Sequence, residues 1–445
     1  MDILRTIMNV VYDVLGAFLM AMLIYQIYLT LFGFSRKTKD YKDHDPKSRF
    51  LVLVPAHNEE AVIGGIIENL QHMEYPKELY DFYIIADNCT DRTADVARQM
   101  SANVIETRKA SEKDPTGKPI ALRKALDLIG DYHKKYDLMM IFDADNLMDP
   151  NMFLEVNSQY LDKGKPELIQ CYLGAKNQKG LVPWFYYTAY TSTNRFLQFA
   201  KYRLGLNCSV GGTGFAISTE YLYQRGGWTA MSLTEDFEIQ IEATVEGRRV
   251  LWNHNVRIYD EKPCTMRASI RQRTRWAQGH FFVCFRNTGK VLSALMHRRI
   301  SLGEGISTLT YMYSLVPYLA ATVQMVINLF RWAEKLAVGF SPDVLLESVL
   351  IGLAGLTLGF MPLYYIAEWM DNKKPFTLTT VPRTLVSFLV CMVVAAVSQW
   401  KGLFLWRHQS QWAKTEHSIR HLEMRGGRLT EGSGTGQEKN NSANM

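Results

Sequence analysis

Four long apolar stretches, at residues 10–34, 306–330, 344–369 and 380–406, constrain this chain more than any other feature. A helix needs about 20 mostly apolar residues to cross a bilayer, and each stretch has that length. Residues 37–299 hold no comparable run, so a mean hydropathy of −0.11 averages a water-soluble middle with membrane-seeking ends. At 445 residues the chain exceeds one hydrophobic core. It is expected to divide into an anchor (1–35), a soluble domain (36–265), interfacial helices (266–305), transmembrane helices (306–406) and a basic interfacial segment with a disordered tail (407–445).

The first stretch reads as an uncleaved anchor, being long, without a basic segment at its start and without a small-residue cleavage site. Arg36, Lys37, Lys39, Lys42, Lys47 and Arg49 follow it. The positive-inside rule then puts the large domain on the cytosolic side of a multi-pass plasma-membrane protein. Basic residues beside spans set topology and touch anionic lipid, so the net charge of +6 gives no reason to expect a nucleic-acid partner. Four spans would leave the carboxyl end outside, whereas Lys401, Arg407, His408, Lys414, Arg420 and Arg425 favour the cytosol. Either one span is re-entrant, interfacial or divided, or the parity fails. Residues 406–421, with Trp406 and Trp412 as anchors, resemble an interfacial segment. The ionisable residues Glu347, Glu368 and Arg383 fall near span ends, which weighs against a proton-coupled transporter. The six cysteines lack zinc spacing, and a disulfide framework does not suit a cytosolic face, so free thiols are expected.

Within the soluble part, short β-branched runs alternate with helical patterns. Strands are predicted at 50–54, 82–86, near Val104 and at 138–142, with helices to Leu70 (capped by Asn58), at 93–100 and at 119–132. This alternation means an open α/β sheet that binds ligands at the carboxyl ends of its strands. Beyond residue 152 the pattern loosens. Strand 172–175, an aromatic helix 184–202, a Gly211–Gly214 turn before strand 215–218, and helices 235–246 and 267–285 are expected.

Three acidic or polar motifs sit at predicted strand ends: Pro55 to Glu60, Asp87 to Asp91, and Asp143-Ala144-Asp145. Two carboxylates two residues apart suit a hard divalent cation bridging to phosphate oxygens, although a solvated acidic turn has the same sequence. Asp87 and Glu59 offer acceptors to a nucleoside; Asn58 and Asp91 equally suit helix caps. Gly117-Lys118-Pro119 opens a helix where amides and one lysine favour an anion. Thr234-Glu235-Asp236 holds a candidate general base and is also a fitting helix N-terminus, a position that would lower the pKa of Asp236. On a helix, Gln272, Arg275 and Trp276 share a face while Arg273 points elsewhere. Arginine forks suit diphosphate, and a basic amphipathic helix on a membrane surface explains the arginines as well. His57 reads as a local hydrogen-bond partner, and the aromatics Trp184, Tyr186, Tyr187 and Tyr190 read more readily as packing than as a sugar path.

In this order, Asp143-Ala144-Asp145, Thr234-Glu235-Asp236 and Gln272-Arg273-Thr274-Arg275-Trp276 followed by apolar spans resemble the processive membrane glycosyltransferases of family 2. That group includes the cellulose, hyaluronan, chitin and poly-N-acetylglucosamine synthases. The resemblance covers about residues 49–289 and implies a GT-A (nucleotide-diphospho-sugar transferase, Rossmann-like) α/β domain joined to transmembrane helices. It implies an inverting hexosyltransferase that takes a UDP-sugar (UDP-N-acetylglucosamine or UDP-glucose) and elongates a β-linked polysaccharide. A magnesium or manganese ion would be held by Asp145, with Asp143 nearer the nucleoside. Pro55, Glu59, Asp87 and Lys118 would line the nucleotide site, Asp236 would be the base beside Glu235, and Gln272, Arg273, Arg275 and Trp276 would contact substrate. Gly212 and Thr213 resemble the turn beside the acceptor sugar. Ceramide glucosyltransferases share a similar Gln-x-x-Arg-Trp element, so a single-transfer enzyme with a diacylglycerol or ceramide acceptor is the alternative.

Overall fold

The computed structural model describes residues 2–109, 111, 116–337, 361–409, 422–425 and 428–431. Eight strands form one sheet: β1 (Phe50–Ala56), β2 (Tyr80–Asp87), β3 (Asn103–Thr107), β4 (Leu138–Ile141), β5 (Leu147–Met148), β6 (Leu168–Ala175), β7 (Phe215–Ser218) and β8 (Val250–Asp260). Their order is β3-β2-β1-β4-β7-β6-β8-β5. The first four are parallel, as the strand–helix alternation predicts. β1 is buried along its whole length because helices cover both faces of the sheet, which is why it reads as a continuous apolar run.

β7 runs against β4, with Ile141 opposite Phe215. This reversal brings the Gly211–Gly214 turn, at the amino end of β7, to the edge where β4 ends in Asp143-Ala144-Asp145. β6 reverses again against β7, and β8 runs parallel to β6, so Asp260 at the end of β8 reaches that edge too. Two apolar cores lie on the two faces, one around Phe50, Phe142 and Phe153, the other around Phe215, Trp228 and Ile239.

Asn58 does not cap the next helix. That helix starts at Ile63 without a side-chain cap, and Asn58, at φ 59°, instead accepts from the Thr90 and Asp91 amides. It thereby ties the β1 loop to the β2 loop, which sequence proximity does not reveal. The aromatic helix is also not uniform: Leu181–Thr193 passes into a π-helical turn at Asn194–Phe199 before Ala200–Arg203.

Among the described residues, two helices are long and apolar enough to cross a membrane, Ile3–Gly33 and Leu378–Leu405. The expected span at 306–330 is two helices, Leu302–Met312 and Val316–Glu334, bent by 55°. Tyr313, Ser314 and Leu315 form the break, and the pair is a broken span or a re-entrant element. Of the stretch at 344–369, residues 344–360 lie outside the described residues, and 361–372 are helical. Trp412, Lys414 and Arg420 and the tail beyond residue 431 also lie outside them.

The first apolar helix joins the domain at Gly33, where a Cβ would sit 2.5 Å from the Phe196 ring. A second joint is a buried cluster in which Arg195 pairs with Asp371. His254 also meets Asp371 at 3.0 Å, and Arg195 donates to the Ser35 carbonyl at 2.7 Å. The first apolar helix, the π-helical turn, β8 and residues 361–372 thus meet at one buried point.

Candidate active site

The strand-end motifs converge on a cavity of about 740 Å³. Its lining includes Pro55, Glu59, Lys118, Asp143, Asp145, Gly212, Thr213, Glu235, Asp236, Gln272, Arg273, Arg275 and Trp276. Thirteen of the fourteen residues singled out from sequence are therefore on one wall or another; the exception is Asp87. Asp87 is buried, and its Oδ1 accepts from Thr107 Oγ1 at 2.7 Å and Asn88 Nδ2 at 2.8 Å, which joins β2 to the end of β3. His57 is a local partner as expected, with Nδ1 2.7 Å from the Asp87 carbonyl.

Lys118 is the hub. It opens the helix Lys118–Ile129, and its Nζ lies 2.6 Å from Asp143 Oδ1, 2.6 Å from the Gly212 carbonyl and 3.8 Å from Glu235 Oε1. One ammonium thus ties its own helix start to three other motifs. Thr213 has a positioning role: its hydroxyl accepts from the Asp143 amide at 3.1 Å and donates to Asn146 Oδ1. The Gly212 turn is held from below by Gln170, which bonds the Gly211 amide at 2.9 Å and the Thr213 carbonyl at 3.0 Å.

Glu235 and Asp236 begin the helix Glu235–Val245. Thr234 stands at the cap position without a side-chain cap bond. The pKa of Asp236 is raised, contrary to the expectation from its place at a helix N-terminus. Burial drives the rise, against the Phe237 amide and Lys118, which oppose it. Glu235 is pushed up to about 7 by burial, with Lys118 opposing and Asp236 adding to the rise. The helix amides do stabilise the anions, but losing water costs a buried carboxylate more.

Asp145 Oδ2 accepts from the Glu261 amide at 3.1 Å, and its Oδ1 accepts from Asn146 at 3.1 Å. Burial raises Asp260; Lys262, 2.7 Å from its Oδ2, opposes the rise, and Asp145 and Asp143 add to it. Mutually repelling carboxylate oxygens at the rim of a cleft are a hard donor set that fits a divalent cation. Among the described residues no group of three or more acidic, histidine or cysteine side chains is arranged to enclose a metal. Two carboxylates would leave room on such a cation for phosphate oxygens and water.

The helix Met266–Met296 carries the arginine-rich motif. Gln272 and Arg273 do not diverge as the helical wheel suggests, because the Tyr186 hydroxyl stands between them. It donates to Gln272 Oε1 at 3.3 Å and accepts from Arg273 Nε at 3.1 Å. The Arg273 guanidinium stacks on the rings of Tyr186 (4.6 Å) and Phe185 (5.2 Å), and Trp276 meets Tyr186 edge-on at 6.3 Å. Trp184 and Tyr187 pack against Tyr364, whereas Tyr190 reaches the cavity.

Sequence reasoning missed Asp260, His280, Tyr311, Gln399 and Gln409, all of which line the cavity. Asp260 carried a legible signal, being an acidic residue that ends an alternating stretch from Val256 to Tyr259. Gln399 carried another, a lone amide in an apolar span. None of the six cysteines, all of them among the described residues, is in a disulfide. Burial raises the Cys89 thiol, which makes it a poor nucleophile.

Residues 46–279 match the family described as glycosyltransferase like family 2. A probable glycosyltransferase of Bacillus subtilis, YdaM, is 24% identical over 425 residues, which are 93% of this chain and 99% of that protein. The beta-monoglucosyldiacylglycerol synthase of Nostoc is 27% identical over 232 residues, 52% of this chain and 48% of the synthase. The chain therefore spans about half the length of that relative. The poly-beta-1,6-N-acetyl-D-glucosamine synthase of Staphylococcus epidermidis is 20% identical over 304 residues, 67% of this chain and 71% of that enzyme. Among solved structures, a mannosyltransferase from Pyrobaculum calidifontis in complex with GDP-Man and Mn2+ superposes with a TM-score of 0.57 at 16% identity. It covers 88% of this chain and 99% of that one, and the likeness is one of fold.

Proposed function

The chain belongs to the glycosyltransferase like family 2, with a mixed-sheet GT-A type domain, and from that premise we propose that it extends a β-linked polysaccharide from a UDP-sugar with inversion at the anomeric carbon. One observation carries this reading. Asp143, Asp145, Lys118, Glu235, Asp236 and the arginine-rich motif share a cavity that also reaches the apolar helices at Ser314, Leu315 and Gln399. A donor bound at the strand ends and an acceptor presented from the membrane side would meet there.

In this mechanism Pro55 and Glu59 flank the nucleoside, with Asp87 shaping the loop behind them. A magnesium or manganese ion held by Asp145 and Asp143 would supply positive charge at the diphosphate. Arg275 and Arg273 give the diphosphate forked hydrogen bonds, Arg273 being fixed in place by Tyr186. Asp236 takes the proton from the acceptor hydroxyl as its oxygen bonds to the anomeric carbon. The bond from that carbon to the diphosphate breaks on the opposite face, through a transition state of oxocarbenium character. Glu235 and Lys118 set the charge around that base, and Gly212 lets the backbone approach it. Trp276 offers an aromatic face to the acceptor.

The membrane side of the cavity favours a carbohydrate acceptor. Gln272, Gln399, Gln409 and Ser314 line the cavity with Trp276 and Tyr311, and amides with aromatic faces suit sugars better than acyl chains. Similarity to the Nostoc synthase supports a second reading, transfer of one sugar to diacylglycerol. The test is a radiolabelled panel of UDP-glucose, UDP-N-acetylglucosamine, UDP-galactose and UDP-glucuronic acid given to purified protein in lipid with magnesium or manganese. A high-molecular-weight product from one donor, lost with chelator, supports the polymer reading. Label moving solely into a small lipid-soluble species establishes the second reading. No turnover with any donor would refute both.

A further inference from the structure

We propose that Gln399, a lone amide in the apolar helix Val381–Leu405, binds the acceptor by taking a hydrogen bond from one of its hydroxyl groups. The inference rests on the glycosyl-transfer reading and adds to it a residue outside the family-matched region of the chain.

The helix is fixed against the motif helix at this height. A Cβ on Gly402 would fall 2.3 Å from the Ala277 Cβ, so Gly402 is what lets the two backbones approach. Ser398 donates to the Ile270 carbonyl at 3.4 Å on the same seam. Gln399, one turn before Gly402, therefore stands beside the arginine-rich motif and lines the cavity with Gln272, Arg273, Trp276 and Ala277.

Its environment does not satisfy it. Gln399 is 4% exposed, and its Oε1 is buried without a hydrogen-bond partner among the described residues. A buried amide oxygen left unpaired is disfavoured and rare in folded proteins, more so on a helix whose other positions are mostly apolar. A polar side chain kept at such a place in a membrane helix marks a ligand path. An acceptor hydroxyl supplies the missing donor. An amide in place of a carboxylate also avoids repelling the diphosphate and leaves Asp236 as the base.

The experiment compares Gln399→Met, which keeps the length and packing but not the amide, with Gln399→Asn, which keeps the amide. Initial rates are measured against a soluble β-linked oligosaccharide and against diacylglycerol in vesicles, using whichever acceptor the unmodified enzyme extends; UDP binding by calorimetry checks the fold. The expected result for Gln399→Met is an acceptor KM raised about tenfold or more, with the donor KM within about twofold, and partial recovery in Gln399→Asn. An acceptor KM unchanged in both variants, or donor and acceptor KM rising together, overturns the inference alone. Failure of the unmodified enzyme to use any UDP-sugar overturns the underlying reading and the inference with it.

Discussion

Lys118 Nζ stands 2.6 Å from Asp143 Oδ1 while also lying 3.8 Å from Glu235 Oε1, so one cation is shared by the two acidic motifs. Burial works against its charge, and the neighbouring Asp143 and Glu235 hold its pKa above the ordinary lysine value. It is thus part of the charge balance of the proposed base as well as of any anion it meets. Lys118→Met should cut kcat/KM at least 100-fold.

That arrangement fixes the sign of a pH effect. In the proposed mechanism Asp236 must be ionised to take the proton; its carboxyl is raised by burial, and the neighbouring Glu235, pushed up to about 7, titrates together with it. Activity should therefore fall as pH drops below about 7. Lys118 opposes the rise, so in Lys118→Met the acid limb of kcat/KM should move to higher pH. A limb that stays in place or moves to lower pH would show that the pair does not control the rate.

Asp236→Asn should lower transfer by about 10²- to 10⁴-fold, the range that a general base contributes, while leaving UDP binding nearly intact. The check is calorimetric titration beside the rate assay. Loss of nucleotide affinity in a folded variant would move Asp236 out of the base role.

Gly212 has φ +77°, and a Cβ there would lie 3.2 Å from Asp236 Oδ2. Gly212→Ala therefore combines left-handed backbone strain of about 1–2 kcal/mol with pressure on the base. A lower melting temperature together with a larger fall in kcat than in donor affinity is expected. A variant with unchanged kcat would refute the close approach.

Arg195 and Asp371 form an ion pair with each side chain 1% exposed. Removing one partner of such a pair strands a buried charge, at about 3–5 kcal/mol. Asp371→Ala should accordingly destabilise the junction between the domain and the apolar helices, read as a lower midpoint in a detergent thermal melt. Asp371→Asn, which keeps a hydrogen-bond acceptor for His254, should lose less.

Much of this architecture is local in the sequence. β1, β2 and β4 are short, largely apolar runs that end in the motifs they present, so strand placement, helical alternation and the position of Asp143, Glu59 and Asp145 at strand ends were legible from the residues alone. The apolar helices at either end were legible for the same reason, since length and composition alone set membrane-crossing capacity. What the pattern could not carry was pairing between distant segments. The antiparallel course of β7, which turns Gly212 toward Asp236, depends on hydrogen bonds between residues some 70 positions apart. The Tyr186 hydroxyl between Gln272 and Arg273, and the passage of Gln399 beside the motif helix, are likewise contacts across more than 80 and 120 residues. The raised pKa of Asp236 belongs with them: a helix N-terminus is visible in sequence, but the burial that outweighs it exists only once the domain, the motif helix and the apolar spans have packed around the same cavity.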